Sequence, residues 1–260
     1  MSIPVRPGAR PASRPGASDP LAPLLDLPGV RDAADAARAG IDRLLGHKVL
    51  RRESAGVSTE SALRGARASA ALEGVDVPLA ELRSGEVADP VVQGALRASA
   101  GLGAMVETWS RAPGQVLARL HVLAAADLAD RADLGRPAPH AGPRLSGLFA
   151  LVTGTTGAPA VLVAALVHGE LAALAPFGTA DGIVARAAAR LTLVTRGVDP
   201  KSVSVPEVGH YELAEDYHRT LAGYGSGDPA GLAGWLRHCA VATRLGAQEG
   251  LAICEATLRG

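Results

Sequence analysis

One stretch of the sequence, from His168 to Arg186, has the residue types of an anion-binding turn. It reads HGELAALAPFGTADGIVAR and lies between two apolar runs, Ala158 to Val167 and Ala187 to Val194. The runs predict two buried helices, and the Pro and Gly residues between them predict a tight turn. The first amides of a helix have no partners within the helix and carry the positive end of its dipole. The sequence therefore predicts that an anion binds where the second helix begins.

This turn, together with the upstream segment Ser69-Ala-Ala-Leu-Glu73-Gly74, resembles the Fic family, whose signature is H-P-F-x-[DE]-G-N-G-R-x-x-R. The resemblance implies an all-α Fic-like domain that transfers AMP from ATP to a protein hydroxyl, with magnesium bridging the phosphates. It extends from about residue 45 to residue 245. It assigns ligand or phosphate binding to five residues: Pro176, Phe177, Gly178, Gly182 and Arg186.

The departures from the signature fall on its reactive positions. Ala175 stands at the catalytic His and cannot take a proton, a task typically worth ~10² to 10⁴ in rate. Thr179 stands at the metal-binding acid and offers a hard dication only a neutral hydroxyl. Asp181 stands at the Asn and would repel phosphates. The resemblance implies ATP and magnesium as cofactors, but these residues argue against both, and against AMP transfer.

A second part of the resemblance concerns inhibition. In the family, Ser/Thr-x-x-x-Glu-Gly/Asn marks a self-inhibiting helix, and Ser69, Glu73 and Gly74 fit this pattern on a helix predicted near residues 58–74. The resemblance implies that Glu73 reaches Arg186. The pair is either a regulatory clasp or an ion pair kept for stability, since loss of one buried partner costs ~3 to 5 kcal/mol. We favour the second interpretation.

Asp181 and Thr179 are the candidates for any remaining catalysis. Asp181 could accept a proton or bind a metal with Thr179, but a cap of the helix that begins at Gly182 is the favoured role. His168 lies nearly two helical turns from the turn, so we expect it to pack between helices. No His-x-x-x-His or Cys-x-x-Cys motif occurs, and local spacing therefore predicts no metal site.

Composition limits the class of protein. Basic and acidic residues balance at 26 each without blocks of like charge, so neither nucleic-acid binding nor membrane binding is predicted. Apolar residues make up 48% but aromatic residues only 3%, which predicts an Ala- and Leu-rich helical core. Cys239 and Cys254 lie too far apart on one predicted helix for a disulfide. No secretion signal is found, so a cytoplasmic location is predicted. The Ala and Arg content indicates a high-GC bacterium.

The sequence predicts one domain. Residues 1–30 contain seven prolines and are predicted to form a disordered tail, and residues 31–258 a single Fic-like helical domain. The resemblance implies that a short β-hairpin flap is possible in this region, where Leu145 to Val152 could form a helix or a strand and the segment from Thr153 to Pro159 is predicted as a loop. The predicted helices are Arg31–Leu50, Ser58–Leu72, Asp89–Ser110, Pro113–Ala132, Pro159–Leu174, Gly182–Arg196, Val208–Leu221 and Ala230–Leu258. The segment from Val77 to Ser84 is predicted as a short helix or a turn.

Three functions are compatible with these observations. The leading hypothesis is a pseudoenzyme that binds a protein or peptide partner at the flap, or a small anionic ligand, in the cleft. The alternative is a Fic-derived transferase or lyase that uses Asp181, Thr179 and Arg186 in new roles. The third is a purely structural or oligomeric module, such as a homodimer.

Overall fold

The computed structural model of the chain describes residues 19–259. Within that range the regular structure is helical, with short 3₁₀ segments between some helices and no strand, which confirms the predicted all-α class. None of the helices in this range is long and apolar enough to cross a membrane. The α-helices are α1 (Val30–Leu45), α2 (Ser54–Leu72), α3 (Leu79–Ser84), α4 (Pro90–Gly101), α5 (Val106–Trp109), α6 (Pro113–Ala125), α7 (Gly142–Thr153), α8 (Ala160–Leu174), α9 (Asp181–Thr195), α10 (Pro206–Glu212), α11 (Ala214–Gly225) and α12 (Pro229–Arg259).

Helix α8 is the centre of the fold. Its sequence is apolar on every side, and all residues from Val161 to Gly169 are buried, as expected for a helix enclosed by others. It packs along α9 and also contacts α1, α7, α11 and α12. The two helices that flank the predicted turn are therefore held in the core, and the turn between them is fixed at both ends.

The few large aromatic side chains of the core have satisfied polar groups. The indole N–H of Trp109 donates to the hydroxyl of Thr192, at 3.1 Å, and that of Trp235 donates to the carbonyl of Ala165, at 2.8 Å. A buried indole without a partner would cost free energy. These bonds therefore fix the position of α5 against α9 and of α12 against α8.

Helices α10 and α12 come into backbone contact at a glycine. A Cβ atom on Gly209 would lie 2.1 Å from the carbonyl oxygen of Ala242, a distance that no side chain could accept. The absence of a side chain lets the two helices approach closely. As a result, His210 on α10 lies beside His238 and Cys239 on α12.

The N-terminal segment differs from the predicted tail. Residues 1–18 lie outside the described residues. From residue 19 to residue 30 the chain includes a 3₁₀ helix, Ala22–Asp26, and its leucines pack against a core cluster that contains Trp235. The Asp19 carboxylate accepts hydrogen bonds from the Thr156 hydroxyl and the Gly157 amide. Apolar leucines between the prolines thus hold this part of the predicted tail on the domain.

The flap region contains no hairpin in the described chain. Residues Gly142–Thr153 form α7, and the segment from Gly154 to Pro159 is a loop. The helix forms because Leu145, Leu148 and Val152, at spacings of three and four residues, are buried on one face. The sequence allowed either a helix or a strand for Leu145 to Val152, and the structure shows that this segment is helical.

Candidate functional site

The predicted turn lies between α8 and α9. Three of its residues, Ala175, Gly178 and Ala180, have left-handed backbone conformations, with φ of 45°, 72° and 53°. Alanine rarely adopts such a conformation because its Cβ crowds the backbone. Packing on both sides holds the turn: the Pro176 carbonyl accepts the Ala138 amide at 2.8 Å. The Phe177 ring also stacks on His121, with centroids 4.2 Å apart.

The carboxylate of Asp181 points back into the turn. Helix α9 begins at Asp181 itself, and the residue at the N-cap position, Ala180, makes no side-chain cap. One oxygen of Asp181 instead accepts the amide N–H of Phe177 at 2.9 Å. The predicted capping role is therefore wrong, because the helix starts one residue earlier than the sequence suggested. The turn's own amides bind a carboxylate.

The surroundings of Asp181 favour its protonated form. Burial raises the pKa of its carboxyl, and this effect outweighs the backbone N–H groups of Phe177, Gly178 and Thr179, which lower it. The nearby carboxylate of Glu73 also raises the pKa. The anionic form of Asp181 is thus held at a net cost in free energy.

Replacing Asp181 with asparagine is expected to stabilise the protein more at neutral pH than in acid. A raised folded-state pKa means that the aspartate's contribution to stability is full below its unfolded-state pKa and is lost as pH rises. The melting temperature of Asp181→Asn minus that of the parent should therefore increase from about pH 4 to about pH 7. The matched control is Asp76→Asn, at an exposed carboxylate. A flat difference for Asp181→Asn would contradict the burial effect.

Arg186 is the most highly connected side chain of the site. Its Nε donates to the Ser69 hydroxyl at 2.8 Å, and its Nη1 donates to the Tyr217 hydroxyl at 3.1 Å. Its Nη2 donates to the Ser69 carbonyl at 3.0 Å and to Glu73 Oε1 at 2.6 Å. Burial lowers the pKa of Arg186, but Tyr217 and Glu73 oppose this effect and the pKa is raised. The contact between Glu73 and Arg186 that the resemblance implied is present.

Glu73 covers the start of α9 as well as Arg186. A Cβ atom on Gly182 would lie 2.1 Å from Glu73 Oε1, so the carboxylate rests directly on the first turn of this helix. The side chain of Arg186 is 2% exposed, whereas that of Glu73 is 30% exposed. Glu73 therefore occupies the predicted anion site and can be reached from solvent.

Gly182→Ala is expected to destabilise the parent protein more than it destabilises Glu73→Gly. The added methyl group would clash with Glu73 Oε1 in the parent, whereas in Glu73→Gly it meets only the weaker contact with Arg186 Nη1, at 3.1 Å, and alanine is the better helix former. We expect a coupling of ~0.5 to 3 kcal/mol between the two substitutions. Urea unfolding of the parent, both single variants and the double variant measures it. Additive effects would show that Glu73 does not rest on Gly182.

The donors at the turn do not fit magnesium. Asp181 is bonded to a backbone amide of the turn, and Thr179 offers only a neutral hydroxyl. Across residues 19–259, three or more His, Cys, Asp or Glu side chains come together as a potential metal site only at His168, His210 and Cys239, away from the turn.

These three residues belong to a buried cluster that the sequence did not reveal. His168 was expected to pack between helices, and it is buried with its Nε2 3.0 Å from the Tyr217 hydroxyl. His210 and His238 are also buried, and their Nδ1 and Nε2 atoms are 3.0 Å apart. The members come from α8, α10, α11 and α12, so no local spacing could have indicated them. His218, in contrast, is exposed.

The described chain is thus helical, and two of its own carboxylates, those of Asp181 and Glu73, contact the turn and the start of α9. No protein-family model matches the sequence, and no curated protein matches it. Among solved structures, a Fic family protein from Desulfovibrio desulfuricans G20 is similar with a TM-score of 0.71 and 19% identity, over 86% of this chain and 74% of that one. Fic-1 from C. elegans is similar with a TM-score of 0.67 and 18% identity, over 88% and 73%. The chain has the Fic fold.

Proposed function

We propose that this chain is a Fic-fold pseudoenzyme that binds an anionic group in its cleft and does not transfer AMP. The observation that carries the proposal is the position of the Glu73 carboxylate, which rests on Gly182 and bonds to Arg186 at 2.6 Å. A carboxylate from the protein occupies the place that a phosphate or carboxylate of a ligand would take. Such a ligand, free or carried by a protein partner, would replace Glu73.

The lack of a general base supports the loss of AMP transfer. Ala175 is exposed at the position of the family's catalytic His and carries only a methyl group. The histidine that contacts the turn, His121, is fully buried and stacked on Phe177, and its Nδ1 accepts the Gly135 amide at 2.9 Å. It therefore cannot receive a proton from a target hydroxyl in the cleft.

The charge distribution supports an anionic ligand without a metal. Arg186 stays charged, and its fork of donors suits the oxygens of a carboxylate or phosphate. The start of α9 adds backbone amides and the positive end of its dipole. Glu73 is partly exposed and lies just beyond the end of α2, so it can leave without disturbing the core.

The binding test compares the parent with Glu73→Gly, using pyrophosphate and ATP with and without magnesium. We expect pyrophosphate to raise the melting temperature of Glu73→Gly more than that of the parent, because the competing carboxylate is gone. The matched control is Asp76→Gly, which removes a carboxylate that contacts Arg67 and Tyr211. Equal responses in all three proteins would contradict the proposed site. A strong response to ATP that requires magnesium would contradict the argument against nucleotide chemistry.

AMP transfer is tested separately with labelled ATP and magnesium or manganese. We expect no label on the protein itself, either in the parent or in Glu73→Gly. Labelled protein, above the level of a heat-denatured sample, would overturn the pseudoenzyme proposal and leave the binding site itself in place.

One observation favours the alternative, an enzyme that re-uses the cleft. The raised pKa of Asp181 is a property of carboxyl groups that act as acids or bases. Its Oδ1 atom is bonded to the Phe177 amide, however, and Arg186 is bonded to Glu73. This alternative requires that turnover of a phosphorylated substrate is lost in Asp181→Asn, and an absence of turnover in the parent rejects it.

A further inference from the structure

Three side chains of types that bind metals lie together in the core, beside Arg186. One ligand atom from each of His168, His210 and Cys239 lies within 4.8 Å of the others. The residues are 1%, 4% and 4% exposed, and they come from three different helices, α8, α10 and α12. They line a cavity of about 20 Å³, which has room for one water molecule.

The hydrogen bonds around the histidines leave a nitrogen free on each ring. His238 Nδ1 has no hydrogen-bond partner and lies 3.9 Å from an Asp216 carboxylate oxygen, which favours a proton on that nitrogen. His238 Nε2 then accepts from His210 Nδ1, at 3.0 Å, and the lone pair of His210 remains on Nε2. A metal-binding histidine usually donates its other ring N–H to a neighbouring acceptor, and His238 Nε2 provides that acceptor for His210.

The same reasoning applies to His168. Its Nε2 is 3.0 Å from the hydroxyl of Tyr217, whose oxygen accepts a hydrogen bond in the tautomer that carries the ring proton on Nε2. That arrangement leaves the lone pair on Nδ1. Each of the two imidazoles therefore has one nitrogen engaged by a neighbour and one available as a ligand.

We propose that His168, His210 and Cys239 bind a zinc ion. Two imidazoles and a thiolate are ligands that zinc prefers, whereas magnesium and calcium prefer oxygen. A water in the cavity completes the four positions of a tetrahedral site. Binding replaces the proton of the Cys239 thiol with a zinc–sulfur bond and releases that proton to solvent. This inference does not rest on the proposed function of the cleft.

The charged groups that face the cavity are compatible with a cation. Arg186 and Arg190 line it, but the first is paired with Glu73 at 2.6 Å and the second with Glu207 at 3.3 Å. Zinc with one thiolate carries a single net positive charge. The paired carboxylates offset the arginines, and the Tyr217 hydroxyl lies between Arg186 and His168.

The test is metal binding to the full chain after it has been stripped with a chelator. We expect one zinc per chain, a higher melting temperature with zinc, and thiolate-to-cobalt charge-transfer absorption when cobalt replaces zinc. Cys239→Ser should abolish that absorption. The matched control is Cys254→Ser, because Cys254 is a second buried free cysteine on the same helix, outside the cluster.

A further variant guards against misfolding. His238→Gln leaves all three ligands in place and should weaken zinc binding ~10- to 100-fold, as loss of a supporting hydrogen bond does elsewhere. Retention of the folded helical spectrum by each variant shows that affinity, and not folding, has changed. The proposal is overturned if the stripped parent binds no zinc at micromolar concentrations, or if Cys254→Ser loses the cobalt band and Cys239→Ser keeps it.

Discussion

Arg186→Met is expected to lower the free energy of unfolding by ~3 to 5 kcal/mol. The substitution removes every hydrogen bond of the guanidinium at once and leaves the Ser69 hydroxyl and carbonyl and the Tyr217 hydroxyl without this donor. A buried polar group that loses its partner costs ~1 to 3 kcal/mol. Glu73 adds less to this loss, because its side chain is 30% exposed and can turn to water.

Urea unfolding measures this effect, with Arg38→Met as the control. Arg38 forms an exposed ion pair with Asp42 at 2.9 Å, and such pairs contribute ~0 to 1 kcal/mol. Equal losses in the two variants would show that Arg186 does not anchor the core.

The same measurement on Glu73→Gln separates the two interpretations of the ion pair. Arg186 keeps Ser69 and Tyr217 as partners in this variant. A loss close to that of Arg186→Met supports a pair retained for stability. A small loss, together with stronger pyrophosphate binding, supports a regulatory clasp instead.

The free energy of unfolding of the metal-free protein is expected to fall steeply as the pH is lowered below about 6.5. Burial holds the pKa values of His168 and His210 well below their usual range, and the charge of Arg186 contributes to both. Burial also lowers the pKa of His238 to about 4. These rings stay neutral in the folded state, while in the unfolded chain they bind protons.

The difference in proton binding between the folded and unfolded states determines how the free energy of unfolding changes with pH. Stability is full above the unfolded-state pKa and is lost as pH falls from about 6.5 toward about 4, by ~1.4 kcal/mol per pH unit for each proton. Three histidines give a slope of up to ~4 kcal/mol per pH unit. Urea unfolding between these limits measures the slope. His210→Gln should reduce this slope by the contribution of about one proton. His218→Gln, which replaces an exposed histidine, should leave the slope unchanged.

The parts of the fold that the sequence predicted are those with strong local signals. The apolar runs on both sides of the turn predicted α8 and α9, because a helix enclosed on all sides must be apolar all round. Pro113 and Pro229 stand at the first positions of α6 and α12, where proline is favoured. Cys239 and Cys254 were expected as reduced thiols on one helix, and they are free and buried.

The parts that the sequence did not predict depend on contacts between distant segments. The predicted helix from Val208 to Leu221 is divided at Leu213, whose φ of −113° and ψ of 36° lie outside the helical range. The predicted helix from Asp89 to Ser110 is divided by the 3₁₀ segment Leu102–Met105, which follows Gly101 and contains Gly103, two residues of low helix propensity. Periodicity alone cannot place such breaks.

The candidate site also contains features that local sequence patterns could not predict. The contact between Glu73 and Arg186 was anticipated through the resemblance, and it joins α9 to the end of α2. The inward direction of Asp181 was missed because capping was judged from its place before Gly182, and the helix begins one residue earlier. The histidine cluster was missed because its members are far apart in the chain.

Glu73 directly follows the last turn of α2, which ends in bonds from the Glu73 and Gly74 amides to the carbonyls of Ala70 and Ala71. Under the proposed function, a ligand would enter when this one helix end frays and the carboxylate withdraws, a local opening far less costly than global unfolding. The apparent affinity of a ligand is then reduced by the fraction of molecules in which the end is closed. Hydrogen exchange at these amides reports that fraction directly, and sequence changes in this helix end can tune affinity without touching the ligand.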